Sequence, residues 1–239
     1  MSEKGLLGKQ VAAWAVHAFT MSGLLWAMLA VHALFAHNYK LMWLYLGISL
    51  IVDAADGPMS RKCNVCGVIP WFSGTMMDNV IDYITWTFIP CLFMMIVLPL
   101  GSGILPAIAA MAALSSSMFC YANTKMKSTD WYFVGFPAAW NVVAVILWLW
   151  GTGPVFNWII IVLFTILAAI PWKWVHPFRV RRLRIFNATA AAIWVITTGI
   201  WVGIYPAAPW YLTIPWWVAG LWILAASAIR TIRGVPDMS

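Results

Sequence analysis

The sequence predicts an all-α fold: a polytopic integral membrane bundle of about eight transmembrane helices, with both termini cytoplasmic. Three observations carry this expectation. The 239 residues are 64% hydrophobic and only 9% charged, whereas a soluble domain carries about 25% charged residues. Too little polar side chain is present to cover a globule in water. Apolar runs of helical length recur along the chain, and the basic residues fall almost entirely on one side of them.

The first run, residues 11–36, is too long for a signal-peptide core and has no convincing cleavage site, so it reads as a retained span. Ahead of it, "MSEKGLLGKQ" (residues 1–10) is either an interfacial segment with its lysines toward lipid head groups or disordered. Further runs fall at 40–56, 75–99, 104–122, 133–150, 154–172, 185–204 and 209–229. "LPLGSGILP", "GTGP" and "YPAAPWYLTIP" separate several of them with turn chemistry. Most of these lengths suit helices across a hydrocarbon core of about 30 Å. Helices are the default because lipid leaves no other partner for backbone polar groups.

Thirteen of the fourteen basic residues then share one side: Lys4, Lys9, Arg61, Lys62, Lys125, Lys127, Lys173, Arg179, Arg181, Arg182, Arg184, Arg230 and Arg233, with only Lys40 opposite. The positive-inside rule makes the crowded side cytoplasmic. The net charge of +7 therefore reports topology, not nucleic-acid binding. The eighteen Trp residues suit aromatic belts at the membrane–water interface. Cys63 and Cys66 form a lone C-x-x-C, and Cys91 and Cys120 lie in apolar runs, which does not make a zinc ribbon. No internal repeat or separate soluble domain is visible, so residues 1–239 form one membrane-embedded domain.

The chain has seven acidic residues, and four of them, Asp53, Asp56, Asp78 and Asp82, sit in one short window between two oily runs. The spacings of three and four place each pair on one helix face. A short connection makes the two helices antiparallel neighbours, so all four carboxylates meet at one depth near the inner leaflet. Together they would repel, and each costs about 2.5–3.5 kcal/mol at mid-membrane. Arg61 alone is too little compensation. Oxygen-only ligands suit Mg²⁺ or Mn²⁺, and a pair of such ions is a usual device for gripping a phosphate under attack. Gly57 and Gly74 would let a ligand approach the backbone.

This window resembles the signature of the CDP-alcohol phosphotransferase family, D-x-x-D-G-x-x-A-R followed by G-x-x-x-D-x-x-x-D. Here it reads Asp53-Ala-Ala-Asp56-Gly57-Pro-Met-Ser60-Arg61, then Gly74-Thr-Met-Met-Asp78-Asn-Val-Ile-Asp82. Ser60 replaces the usual Ala, and the spacer from Arg61 to Gly74 is longer than usual. The long spacer with "PWFSG", together with "HAFTMSG", "DWYFVGFPAAWN" and "VHPFR", resembles the bacterial phosphatidylcholine synthase branch. The resemblance implies transfer of the phosphatidyl group from CDP-diacylglycerol to choline, giving phosphatidylcholine and CMP. It implies that Asp53, Asp56, Asp78 and Asp82 hold two Mn²⁺ or Mg²⁺ ions. Asp82 would also be the general base, and Gly57, Ser60, Arg61 and Gly74 would line the CDP site. It further implies a homodimer in the bacterial inner membrane, its active site facing the cytoplasm and its partners being membrane lipids and its two substrates.

Choline is a quaternary ammonium, which aromatic faces bind by cation–π attraction. Tyr83, Trp86, Trp131, Tyr132 and Phe133 lie near cytoplasmic span ends, and Asp130 either counters the ammonium or pairs with Lys127. The basic stretch "KWVHPFRVRRLR" is explained chiefly by topology and anionic-lipid contact. His17 and His176 lie on the cytoplasmic side, and His32 near the far end of the first span. The competing readings are the same chemistry with serine, glycerol phosphate or inositol, and, remotely, a cation transporter. A transporter would spread its acids through the membrane depth, and these cluster at one side.

Overall fold

In the computed structural model, which describes residues 3–234, helix α1 runs without a break from Glu3 to Phe35. The first ten residues are thus part of the same helix as the first span from Glu3 onward. At 1.5 Å per residue α1 is about 50 Å long, well beyond a hydrocarbon core of about 30 Å. Among the described residues, five helical stretches are long and apolar enough to cross a membrane: Gly5–Phe35, Gly74–Val97, Leu105–Ala122, Arg184–Ile204 and Trp210–Arg233. The protein is a helical membrane protein. Its residues divide into two compact units, Met1–Pro90 and Cys91–Ser239.

In the first unit, α1 packs along α2 (Tyr39–Lys62). A buried stripe of Ala13, Val16, Thr20, Gly23, Ala27 and Ala30 recurs on α1 at helical spacing. Small residues in such a stripe let helix backbones come close in a membrane. The side chain of Asn38 caps α2 by accepting from the Leu41 amide at 3.2 Å, satisfying one orphan N–H. At the other end Arg61 and Lys62 occupy the last turn, where cations suit the helix dipole. With Lys40 at its start and Asp53, Asp56, Arg61 and Lys62 at its end, α2 is helical through the expected run 40–56 but is not among the helices apolar enough to cross alone. A short α3 (Val65–Val68) closes the long spacer. Val65 and Ile69 bury against Ala13 and Val16 of α1.

Helix α4 (Gly74–Asp82) is capped by Ser73, whose hydroxyl accepts from the Met76 amide at 3.2 Å. It continues as a π-helix over Tyr83–Phe88 and then as α5 (Ile89–Val97). The Ile89 amide bonds to the carbonyl of Ile84, five residues back. Pro90 supplies the reason. In an α-helix its ring would press on the Trp86 carbonyl four residues earlier, and the wider π-turn moves that carbonyl aside.

In the second unit α6 (Leu105–Ala122) packs on α8 (Pro154–Ala169), and α9 (Arg184–Ile204) on α10 (Trp210–Arg233). Helix α7 is shorter than the expected run 133–150, covering only Trp140–Leu149. Residues Phe133–Val134 instead form a two-residue strand β1, antiparallel to β2 (Lys173–Trp174). Gly135 turns the chain out of β1 with φ +84°, and a Cβ there would lie 2.4 Å from the Ala168 carbonyl oxygen, so only glycine fits. Not all Trp residues belong to interfacial belts. Trp43, Trp140, Trp148, Trp201 and Trp216 are buried. Trp140 donates to Ser116 Oγ at 3.3 Å and Trp216 to Thr198 Oγ1 at 2.8 Å. Polar contacts of this kind between membrane helices are each worth about 0.6–2 kcal/mol.

Candidate active site

The acids of α2 and α4 come together as the spacing predicts, but not as four equals. Asp53, Asp78 and Asp82, all half-buried, each present an oxygen within 4.8 Å of the others. At that distance two full negative charges repel by about 3–4 kcal/mol at an effective dielectric of 20. A hard divalent cation is the species that turns such repulsion into attraction, and three carboxylate oxygens are a donor set that Mg²⁺ or Mn²⁺ prefers. The small cleft they line has room for about one water molecule. The residues fit a metal.

Asp56 lines the same cleft but stands apart from the group of three. It is buried, and the Thr20 hydroxyl donates to its Oδ2 at 2.9 Å. Buried Thr20 and Ser49 complete the polar wall. Neither stands out in the sequence, because a hydroxyl inside an apolar helix commonly bonds to its own backbone.

The two glycines of the signature have different surroundings. A Cβ on Gly57 would meet an Arg61 guanidinium nitrogen at 3.4 Å, an ordinary contact with the arginine one turn on. Ser60 is half-buried on the same turn, and Arg61 is exposed. A Cβ on Gly74 would sit 2.9 Å from His17 Cε1. His17 is buried between Trp14 and Phe72, with ring centroids at 5.6 and 4.7 Å. His32 is exposed, and Cys63 and Cys66 are free thiols.

The candidate choline residues fall into two sets. Tyr83 and Trp86, both half-buried, follow Asp82 directly on the π-helix. Asp130, Trp131 and Tyr132 belong to the second unit, where each already faces a cation of the chain. Asp130 pairs with Arg230 rather than with Lys127. Arg230 Nε donates at 2.7 Å and Nη2 at 3.3 Å. Burial works against the Asp130 carboxylate, but the hydrogen bonds from Arg230 and Ser128 and the Arg230 charge outweigh it and hold the carboxyl below its ordinary range. The same guanidinium lies 5.4 Å from the centre of the buried Tyr132 ring, and that of Arg179 lies 5.1 Å from Trp131. Lys127 sits 5.7 Å over Phe133, which stacks on His176 at 5.2 Å. Burial, then the charges of Arg179 and Lys127, push the His176 pKa down to about 4.

These contacts form a tied platform. Ser227, Arg230 and Thr231 occupy one side of α10. Ser227 accepts from the Val175 amide at 3.1 Å, and Thr231 from the Lys173 amide at 2.9 Å. One helix end therefore pins both the 127–134 and the 173–176 segments.

No protein-family model matches the sequence. Individual proteins do. The chain is 39% identical over 221 residues to a Pseudomonas aeruginosa protein named phosphatidylcholine synthase, covering 92% of each chain. It is 35% identical over 216 residues to one of the same name from Rhizobium meliloti, covering 89% of this chain and 86% of that one. A third, from Brucella melitensis, is 34% identical over 232 residues, 97% of this chain and 84% of its own. Identity of this level, sustained over most of both lengths and attached each time to one name, leaves a single conclusion: the chain belongs to the phosphatidylcholine synthase family.

Proposed function

We propose that the chain transfers the phosphatidyl group of CDP-diacylglycerol to choline by metal-assisted direct displacement, releasing CMP and phosphatidylcholine. The observation that carries the reading is the convergence of the Asp53, Asp78 and Asp82 carboxylates on one small cleft in a helical membrane protein of this family. Asp53, Asp56, Asp78 and Asp82 would hold two Mn²⁺ or Mg²⁺ ions. Bound there, the ions supply charge neutralisation for the pyrophosphate and the departing CMP. The choline oxygen forms a bond to the phosphorus that carries diacylglycerol, the bond from that phosphorus to CMP breaks, and the hydroxyl proton passes to Asp82. A carboxylate is a weak base among cations, so a choline hydroxyl made more acidic by bound metal would ease the transfer to Asp82. Gly57, Ser60, Arg61 and Gly74 form the CDP side, Arg61 placing one positive charge beside the phosphates.

For choline, Tyr83 and Trp86 are favoured over Asp130, Trp131 and Tyr132, because the latter already face Arg230 and Arg179. The chain spans the bacterial inner membrane eight times with both termini in the cytoplasm, and works as a homodimer among membrane lipids. Its site at the inner-leaflet boundary serves a substrate with acyl chains in lipid and a nucleotide in water.

The test is CMP release by purified protein in lipid–detergent micelles with CDP-diacylglycerol and Mn²⁺, offering choline, serine, glycerol phosphate or inositol separately. Release with choline alone is expected, and Asp82→Asn should abolish it while retaining CDP-lipid binding. Release with another alcohol would keep the aspartate site and change the acceptor.

A further inference from the structure

We propose that Thr20 is a positioning residue for the metal site: its hydroxyl fixes the buried Asp56 carboxylate so that one oxygen is committed to α1 and the other is left for the ion. This rests on the metal reading above. A threonine hydroxyl carries one proton. Thr20 Oγ1 has two acceptors in reach, Asp56 Oδ2 at 2.9 Å and the Val16 carbonyl, its own backbone, at 3.3 Å. The contact to the carboxyl oxygen is the shorter by 0.4 Å, well within hydrogen-bond range, whereas that to Val16 is long. The proton therefore goes to Asp56. Both side chains are 6% exposed, so water does not replace the donor when it is lost.

Helix α1 is built to deliver that hydroxyl. Gly23 lies three residues on along the buried stripe. A Cβ there would stand 2.8 Å from Ile81 Cγ2 and 3.7 Å from Ser49 Oγ. The missing side chain lets α1 settle onto α4 and α2 at the depth of the cleft. Thr20 and the four aspartates then line one small cavity. Partners that orient a metal-binding carboxylate typically govern affinity by 10–100-fold. Asp56 is held from α1, so its orientation answers to a different helix from the two that carry the acids.

The experiment titrates Mn²⁺ into purified full-length protein in micelles, by electron paramagnetic resonance of the free ion, and follows Mn²⁺ activation of CMP release alongside. Thr20→Val keeps the shape and removes the donor, and Thr20→Ser keeps the donor. Thr20→Val is expected to weaken Mn²⁺ binding and raise half-activating Mn²⁺ about tenfold or more, with the KM for choline unchanged. Thr20→Ser should restore both. Thr20→Ala serves in place of Thr20→Val if the latter does not fold, folding being checked by melting in EDTA. Wild-type affinity in folded Thr20→Val or Thr20→Ala would overturn the proposal alone. Absence of Mn²⁺ binding by the wild type would overturn the metal reading and this proposal with it.

Discussion

The two units treat charge in opposite ways. In the first, three carboxylates of like sign gather within 4.8 Å. In the second, the acid Asp130 is gripped at 2.7 Å by a guanidinium that also lies on an aromatic ring. Like charges brought together cost stability and are kept for what they bind. Opposite charges brought together hold loops in place. The same substitution, an acid replaced by its amide, should therefore do different things in the two units.

Of the further substitutions, the largest effect is expected at Asp78→Asn. On the proposed metal reading, loss of this carboxylate removes several kcal/mol of charge stabilisation in the transition state; at 1.36 kcal/mol per tenfold, CMP release falls about 10³-fold. Melting in EDTA should be unchanged or raised, because a repulsion has been relieved, while the rise in melting temperature on adding Mn²⁺ should vanish. A clear drop in metal-free stability would erase the contrast between the units.

Next comes Arg230→Ala, which strips Asp130 of its partner. Side-chain exposures of 11% for Arg230 and 31% for Asp130 place the pair between surface bridges, worth up to about 1 kcal/mol, and buried ones, where breaking costs about 3–5 kcal/mol. A loss of about 1–3 kcal/mol is expected, read as a lower melting temperature, with Asp130→Asn in the same chain recovering part of it. The Asp130 pKa is depressed in the folded protein, so its contribution is full above the ordinary value of 3.8 and fades as pH falls through the lower one. Asp130→Asn should remove that acid sensitivity.

A purely pH-dependent effect belongs to His176. Its ordinary value of 6.5 falls to about 4, so the neutral ring favours the folded state. That stability is complete above pH 6.5 and is lost as pH drops toward about 4. His176→Phe keeps the stack on Phe133 and should flatten the melting temperature across this window. Gly74→Ala puts a methyl 2.9 Å from the edge of His17, which is buried between Trp14 and Phe72. Overpacking of this kind costs about 1–3 kcal/mol, visible as a loss of stability.

Much of the first unit was legible in the sequence because its logic is local. Asp53, Asp56, Asp78 and Asp82 announce themselves by spacing on two helices that a short connection makes neighbours. Thr20 did not, since a hydroxyl in an apolar run looks like one bonded to its own backbone, and only the close approach at Gly23 gives it another partner. In the second unit the partner of Asp130 is Arg230, 100 residues away, while Lys127 was the basic side chain close at hand in sequence. The short α7 was written in Gly135 and Pro137, but hydropathy merges "FVGFPAAW" with the apolar residues of α7 into a single run. The break in that run comes from pairing with Lys173–Trp174, a contact that no local pattern encodes.

The π-turn after Asp82 also bears on how this helix tolerates change in length. A regular helix has no slack: removing one residue between Asp78 and Asp82 would swing Asp82 about 100° around the axis and off the cleft. The wide turn over Tyr83–Phe88 holds one residue more per turn than its neighbours need. A single deletion there would tighten the turn and leave Gly74–Asp82 untouched, at the expense of the room Pro90 uses. The aspartates and the rest of the span are thereby mechanically decoupled, so the helix beyond the turn can be respaced without re-aiming the acids.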